Sequence, residues 1–243
     1  DDLLCWVGAP QLTTKCNGWA GVVFVTNIRP ISRQKLLGAK QMKSALLAAV
    51  ATSALALASP AMAQGVKIGI LNDQSGVYAD YGGKWSVEAA KMAVEEFGPT
   101  VLGKPISIVI GDHQLKADIG AAIARRWYDV EQVDLIVELT TSSVALAIHE
   151  LSKEKKKIDI VVGAATSRLT GDACQPYGFH WAYDTRALGV GTGGALTKAG
   201  GNSWFFLTAD YAFGYALEKD TSEIVTANGG KVLGSVRVPL NSS

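Results

Sequence analysis

The sequence predicts an α/β fold of doubly wound parallel sheets, and three observations predict it. Short runs rich in Val and Ile, at 66–71, 106–110 and 158–162, lack the polar alternation of a half-exposed strand. Longer amphipathic stretches separate them, and the alternation persists to residue 238. Strands that are apolar on both faces need a helical layer on each side, which is what the intervening stretches supply.

In order, 66–71 reads as a buried strand, 84–97 as a helix, 106–110 as a strand and 117–130 as a helix. Segments 135–139, 142–152, 158–162, 179–183, 187–199, 204–207, 214–228 and 231–238 continue the beat. The lysine-rich run at 153–157 closes one helix, where cations suit the negative end of the dipole. Ligands of such sheets bind beyond the carboxyl ends of the strands, so the following loops are the candidates for function. Four are notable: 74–83 with Tyr78 and Tyr81, the hydroxyl cluster Thr140-Thr141-Ser142-Ser143, the small-residue loop 163–167, and Asp210-Tyr211-Ala212-Phe213-Gly214. A helix starting at the hydroxyl cluster offers unpaired N–H groups and partial positive charge, a place for a carboxylate that needs no Lys or Arg. Simple N-capping explains the same residues equally well.

The chain of 243 residues is 48% hydrophobic and 19% charged, with formal net charge +1. Residues 64–243 hold seventeen basic and twenty acidic groups, so this part is mildly acidic and gives no electrostatic hold on nucleic acid. Three His and three Cys are scattered without zinc-ligand spacing, and no metal is expected. Gly189-Val190-Gly191-Thr192-Gly193-Gly194 satisfies G-x-G-x-x-G, but Thr185-Arg186-Ala187-Leu188 intervene between it and the preceding strand. Close helix packing is the plainer reading, and no cofactor is expected. There is no G-x-S-x-G, P-loop or H-E-x-x-H, and Asp112-His113 reads as a turn or cap before it reads as a catalytic pair.

Residues 42–63 read as a secretory signal peptide: a short basic start, an apolar run from 45 to 58, and Ala61-Met62-Ala63 before Gln64. The expected destination is the periplasm. Residues 1–41 begin without Met and are read as an upstream segment outside the mature protein, the alternative being a genuine extension with a short strand at 21–26. Cys174 is the only cysteine after residue 63.

The signal peptide, Val66-Lys67-Ile68-Gly69-Ile70, Ser75-Gly76 with Tyr81, Thr141-Ser142, Ala164-Ala165-Thr166 and Asp210-Tyr211-Ala212-Phe213-Gly214 follow one another in an order that carries a resemblance. From about residue 66 onward the chain resembles the periplasmic solute-binding proteins of branched-chain amino-acid ABC transporters, which have the type I periplasmic-binding fold. The resemblance implies a first lobe over 64–185 and a second over 186–243, the second incomplete because family members are longer. It implies hinge closure on a small solute, delivery to a membrane permease, a monomer, and no enzymatic activity. Carried over by motif, Thr141 and Ser142 hold a solute carboxylate, and Ala164 and Thr166 serve its polar end. Tyr81 walls the pocket, and Phe213 with Tyr211 forms an aromatic lid. Two departures, Val77 where the family has Pro and Phe213 where it often has Tyr, widen the candidates from amino acids to aromatic acids, short amides and urea. A sensor domain on the same fold and a secreted α/β enzyme are the other two classes.

Overall fold

The computed structural model of the chain describes residues 65–240. β1 (Val66–Asn72) occupies the middle of a parallel sheet, with β3 (Lys104–Asp112) on one side and β4 (Leu135–Glu138) on the other. β5 (Ile158–Val161) and β6 (Gly178–His180) extend the β4 side, also parallel. β2 (Thr100–Val101) folds back antiparallel on β3 through Leu102 and Gly103. Both turn residues have positive φ, 51° and 74°, as the tightest hairpin turns require. Two residues leave too short a pattern to read, so this strand is invisible in the sequence.

The helices connecting these strands are α1 (Ala79–Gly82), α2 (Lys84–Phe97), α3 (Ala117–Asp129) and α4 (Ser142–Lys155). Their apolar faces and the central strands bury Leu71, Trp127, Ile136, Val144, Ile148 and Val161. The Trp127 indole lies where two glycines leave space: a Cβ on Gly69 of β1 would come within 2.6 Å of its ring, and one on Gly111 of β3 within 2.9 Å. Farther along the same face, buried His149 Nδ1 meets the Asp159 carboxylate at 2.8 Å, and Gln175 Nε2 donates to the same group at 3.0 Å. This polar cluster ties α4 to β5 and the loop before β6.

After β6 the chain builds a second, two-stranded sheet. α5 (Thr185–Leu188), a π-helical turn (Gly189–Gly194) and α6 (Ala195–Lys198) form one continuous helical stretch. β7 (Ser203–Ala209) and β8 (Lys231–Val238) pair in parallel around the crossover helix α7 (Ala212–Ala227). Gly189 and Gly194 of the G-x-G-x-x-G motif, with Gly193 between them, form the seam between the π-helical turn and α7: a Cβ on Gly189 would lie 3.2 Å from the Thr221 backbone and one on Gly193 2.8 Å from Thr221 Cγ2, whereas Gly191 has no neighbour within 4 Å. Phe205, Leu207 and Leu233 of the two-stranded sheet are exposed.

The predicted doubly wound parallel architecture is thus present. Boundaries moved by a few residues: α4 runs to Lys155 rather than 152, and β6 ends at His180 rather than 183. The lysines 153 and 155 lie in the last turn of α4, and Lys156 caps it in the left-handed conformation. The signal-peptide reading of 42–63 and the strand at 21–26 lie outside the described residues. Because the chain goes from β1 out to β3 and returns to β4 on the other side, the strand order reverses between β1 and β4. A crevice opens there beyond the carboxyl ends of the strands.

Candidate functional site

The loop after β1 is held from beneath. The Asn72 side-chain amide donates to the Gly82 and Gly83 carbonyls, the latter at 2.9 Å, and the buried Asp73 carboxylate accepts from the Gly76 and Tyr78 N–H groups at 2.8 and 2.9 Å. Gly83 ends α1 where a Cβ would lie 2.3 Å from the Ala79 carbonyl, so only glycine fits. The fixed loop presents Tyr78 and Tyr81 toward the crevice, their rings edge to face at 6.3 Å.

Thr140, Thr141 and Ser142 lie at the adjoining strand end. Thr140 Oγ1 accepts from the Asp73 N–H at 3.2 Å, which links this turn to the β1 loop. Thr141 is the N-cap of α4, but its side chain makes no capping bond, and its buried Oγ1 has no hydrogen-bond partner within the protein. Ser142 Oγ accepts from the Thr166 N–H at 3.3 Å, joining the helix start to the small-residue loop after β5. Thr166 is fully buried, and its Oγ1 accepts from Arg168 N to cap a short 3-10 turn (Ser167–Leu169).

The facing wall comes from the other sheet and the segment leading to it. Tyr211 is the N-cap residue of α7, and its ring packs 5.9 Å from that of Phe213. Tyr211 Oη meets Tyr78 Oη at 2.7 Å, and Tyr183 Oη meets Tyr81 Oη at 3.1 Å. The bond to Tyr183, with burial second, pushes the Tyr81 phenol up to about 12. Burial, then the bond to Tyr78, raises that of Tyr211. Both therefore stay neutral near pH 7.

These residues enclose a cleft of about 210 Å³ lined by Tyr78, Tyr81, Thr140, Ser142, Gly163, Ala164, Ala165, Tyr183, Tyr211 and Phe213. Of the residues named from sequence, Tyr81, Ser142, Ala164, Tyr211 and Phe213 line it. Thr141 and Thr166 are adjacent but buried behind the lining. Sequence reasoning did not assign Tyr78, Thr140, Gly163, Ala165 or Tyr183 to the site; Tyr78 was visible as the second aromatic of its loop, whereas nothing local marks Tyr183. Asp112 lies outside the lining and acts as a turn residue, accepting from Gln74 N, Gln114 N and Ser75 Oγ at 3.1, 2.9 and 2.6 Å. A larger crevice of about 440 Å³ lies between the loop after β5 and α7, bordered by Arg168, Asp172, Lys219 and Asp220, away from the strand ends that converge on the tyrosines. Among the described residues no group of three or more His, Cys, Asp or Glu could hold a metal ion, and no helix is long and apolar enough to cross a membrane.

Comparison with known proteins adds to this geometry. A family model described as periplasmic binding protein matches residues 65–243. No curated protein matches the chain significantly. Among solved structures, a periplasmic binding protein from Burkholderia mallei is 55% identical with a TM-score of 0.73, over 74% of this chain and 48% of that one. A branched-chain amino acid ABC transporter periplasmic ligand-binding protein from Burkholderia xenovorans LB400 is 37% identical with a TM-score of 0.63, over 73% and 47%. An ABC transporter solute-binding protein from R. palustris, in complex with benzoate, is 25% identical with a TM-score of 0.68, over 73% and 49%. The chain therefore spans about half the length of the solved structures it matches.

Proposed function

We propose, from the premise that the chain belongs to the periplasmic binding protein family, that it captures a small carboxylate-bearing solute for an ABC importer. The observation that carries the reading is the cleft itself. Its floor holds the start of α4, with Ser142 on the surface and the unpartnered Thr141 hydroxyl beside it, and its walls are five aromatic rings. Helix N–H groups and hydroxyls suit a carboxylate, and ring faces suit a flat apolar body. The five rings around the lining make an aromatic acid the first candidate, with an amino acid as the alternative.

In this reading 64–185 belongs to the first lobe and 186–243 to the second. Thr141, Ser142, Ala164 and Thr166 serve the carboxylate end, while Tyr81, Tyr211 and Phe213 enclose the ring. Contacts from both lobes favour the closed state, whose outer surface a membrane permease recognises in the periplasm. The residues serve binding rather than turnover.

A thermal-shift panel of benzoate, 4-hydroxybenzoate, a hydroxycinnamate, leucine, phenylalanine, acetamide and urea tests it, because binding to the native state raises Tm by mass action. A shift with the aromatic acids supports the proposal. A shift with leucine alone would move the solute to aliphatic amino acids, and shifts confined to acetamide or urea would end the carboxylate reading.

A further inference from the structure

Glu138, at the carboxyl end of β4, has no role in the site described so far. It is 8% exposed, its φ is 87°, and the next residue, Leu139, also has positive φ at 56°. Two consecutive non-glycine residues in this region mark a strand end turned away from its ideal path. The turn places Glu138 Oε1 between two glycines, 3.0 Å from where a Gly82 Cβ would stand and 3.1 Å from where a Gly163 Cβ would stand. Gly163 lines the cleft, so the carboxyl lies immediately behind the lining, made accessible by the absence of a side chain there.

The groups that face it are nearly all uncharged. Its register partners are Leu71 on β1 and Val161 on β5. Ser86 of α2 supplies a hydrogen bond to its side chain. Tyr81 of α1, itself bonded to Tyr183, is the titratable neighbour whose phenol it pushes up, and Thr140 and Gly163 complete the surroundings. No Lys, Arg or His acts on it. Burial accordingly holds this carboxyl above the usual carboxylate range.

We propose that Glu138 is a specificity-determining residue of the cleft that takes up a proton when an anionic solute binds, so that affinity for such solutes is linked to pH. The inference rests on the carboxylate reading above. Two negative charges in one small desolvated cleft without a cation repel strongly, and protonation of the buried one removes the repulsion. Binding then carries a proton, and affinity falls as pH rises, by up to about tenfold per pH unit between the carboxyl's pKa in the free and the bound protein. A solute with a donor group in place of the anion meets the ionised form favourably, so the same residue shifts selectivity with pH.

Isothermal titration of benzoate into the purified protein between pH 5.5 and 8.5, in two buffers of different ionisation enthalpy, reads both affinity and protons taken up. The expected result is weakening with rising pH, with a fraction of a proton up to one proton taken up. Glu138→Gln, which keeps the shape and an acceptor for Ser86, should flatten the profile while keeping the low-pH affinity, its fold checked by circular dichroism. Should the variant fail to fold, the proton count on the unaltered protein decides alone. Binding of benzoate, or of another carboxylate of the panel, without proton uptake overturns this inference and leaves the carboxylate reading standing. An unchanged pH slope in Glu138→Gln overturns it too, and assigns the proton to another group such as His180, whose Nε2 donates to the Ala164 carbonyl at 2.8 Å. If no carboxylate binds at all, both readings fall together.

Discussion

Tyr78 and Tyr211 meet hydroxyl to hydroxyl at 2.7 Å, one held by the Asp73-anchored loop after β1 and the other by the start of α7. This hydrogen bond joins elements of the two sheets across the cleft. Replacing either residue with Phe removes the bond but keeps the ring, and a net hydrogen bond contributes about 0.5–1.5 kcal/mol. In urea denaturation, Tyr78→Phe and Tyr211→Phe should each lower stability by that order. A double-mutant cycle should return a coupling of similar size, and strict additivity would show that the two hydroxyls do not cooperate in solution.

The parts of this site that were legible in the sequence are those whose signal is local. Val- and Ile-rich runs announce buried strands, and hydroxyls before an apolar period announce the start of α4. Loops after such strands are where a ligand binds, so the loops carrying Tyr81, Ser142 and Ala164 could be marked before the fold was known, and the family resemblance singled out those residues within them. Tyr183 could not, because its role comes from the crossing between sheets and from Tyr81, which is 102 residues away in the chain. By sequence Glu138 is the tail of a strand; only the positive φ values and the two facing glycines reveal that its carboxyl lies behind the cleft lining at Gly163. Thr141 and Thr166 share the motif of the lining residues but are buried just behind them, a distinction that depends on how α4 and the loop after β5 dock.

Thr141 separates binding from stability. Its buried hydroxyl has no protein partner, so Thr141→Val discards no intramolecular hydrogen bond and should leave Tm unchanged or raised. If that hydroxyl receives the solute carboxylate, the same change weakens benzoate binding by roughly tenfold, in line with a hydrogen bond to a charged group. Unchanged affinity with unchanged Tm would remove Thr141 from the binding set.

Asp220 of α7 is the acceptor that fastens the crossing. Its Oδ2 takes the Thr185 hydroxyl at 2.5 Å and the Ser167 hydroxyl at 2.8 Å, and the carboxylate is largely buried. Asp220→Ala leaves both hydroxyls without their acceptor, at a cost of about 1–3 kcal/mol for each group that stays buried. Asp220→Asn, which keeps one acceptor oxygen, should lose less. Equal urea midpoints for the two variants would argue against the pairing.

His113 should make the fold sensitive to acid. The ring is fully buried, its Nε2 lacks a partner, and burial lowers its pKa from 6.5 to about 4. Its folded pKa lies below the unfolded one, so the unfolded chain binds the proton first and stability is lost as pH falls from about 6.5 toward 4. The loss attributable to this group is on the order of 3 kcal/mol. His113→Gln should reduce the difference in unfolding free energy between pH 7 and pH 4.5, and a variant with an undiminished difference would assign the acid sensitivity elsewhere.

The Trp127 indole tests whether the glycines of β1 and β3 are there for packing. A Cβ on Gly111 would lie 2.9 and 3.0 Å from two atoms of the outer indole ring, and one on Gly69 would be closer still. The ring is almost wholly buried against the face of β1 and β3, so it has little room to yield. Gly111→Ala should therefore cost about 1–3 kcal/mol, the usual range for overpacking, although alanine favours a strand more than glycine does. Trp127→Phe removes the outer ring and on its own opens a cavity. Combined with Gly111→Ala, the added methyl enters that cavity, so the pair should be less destabilised than the sum of the two single changes. Thermal melts of the four proteins measure this, and a double variant that is merely additive would mean the sheet has found another way to accommodate the methyl.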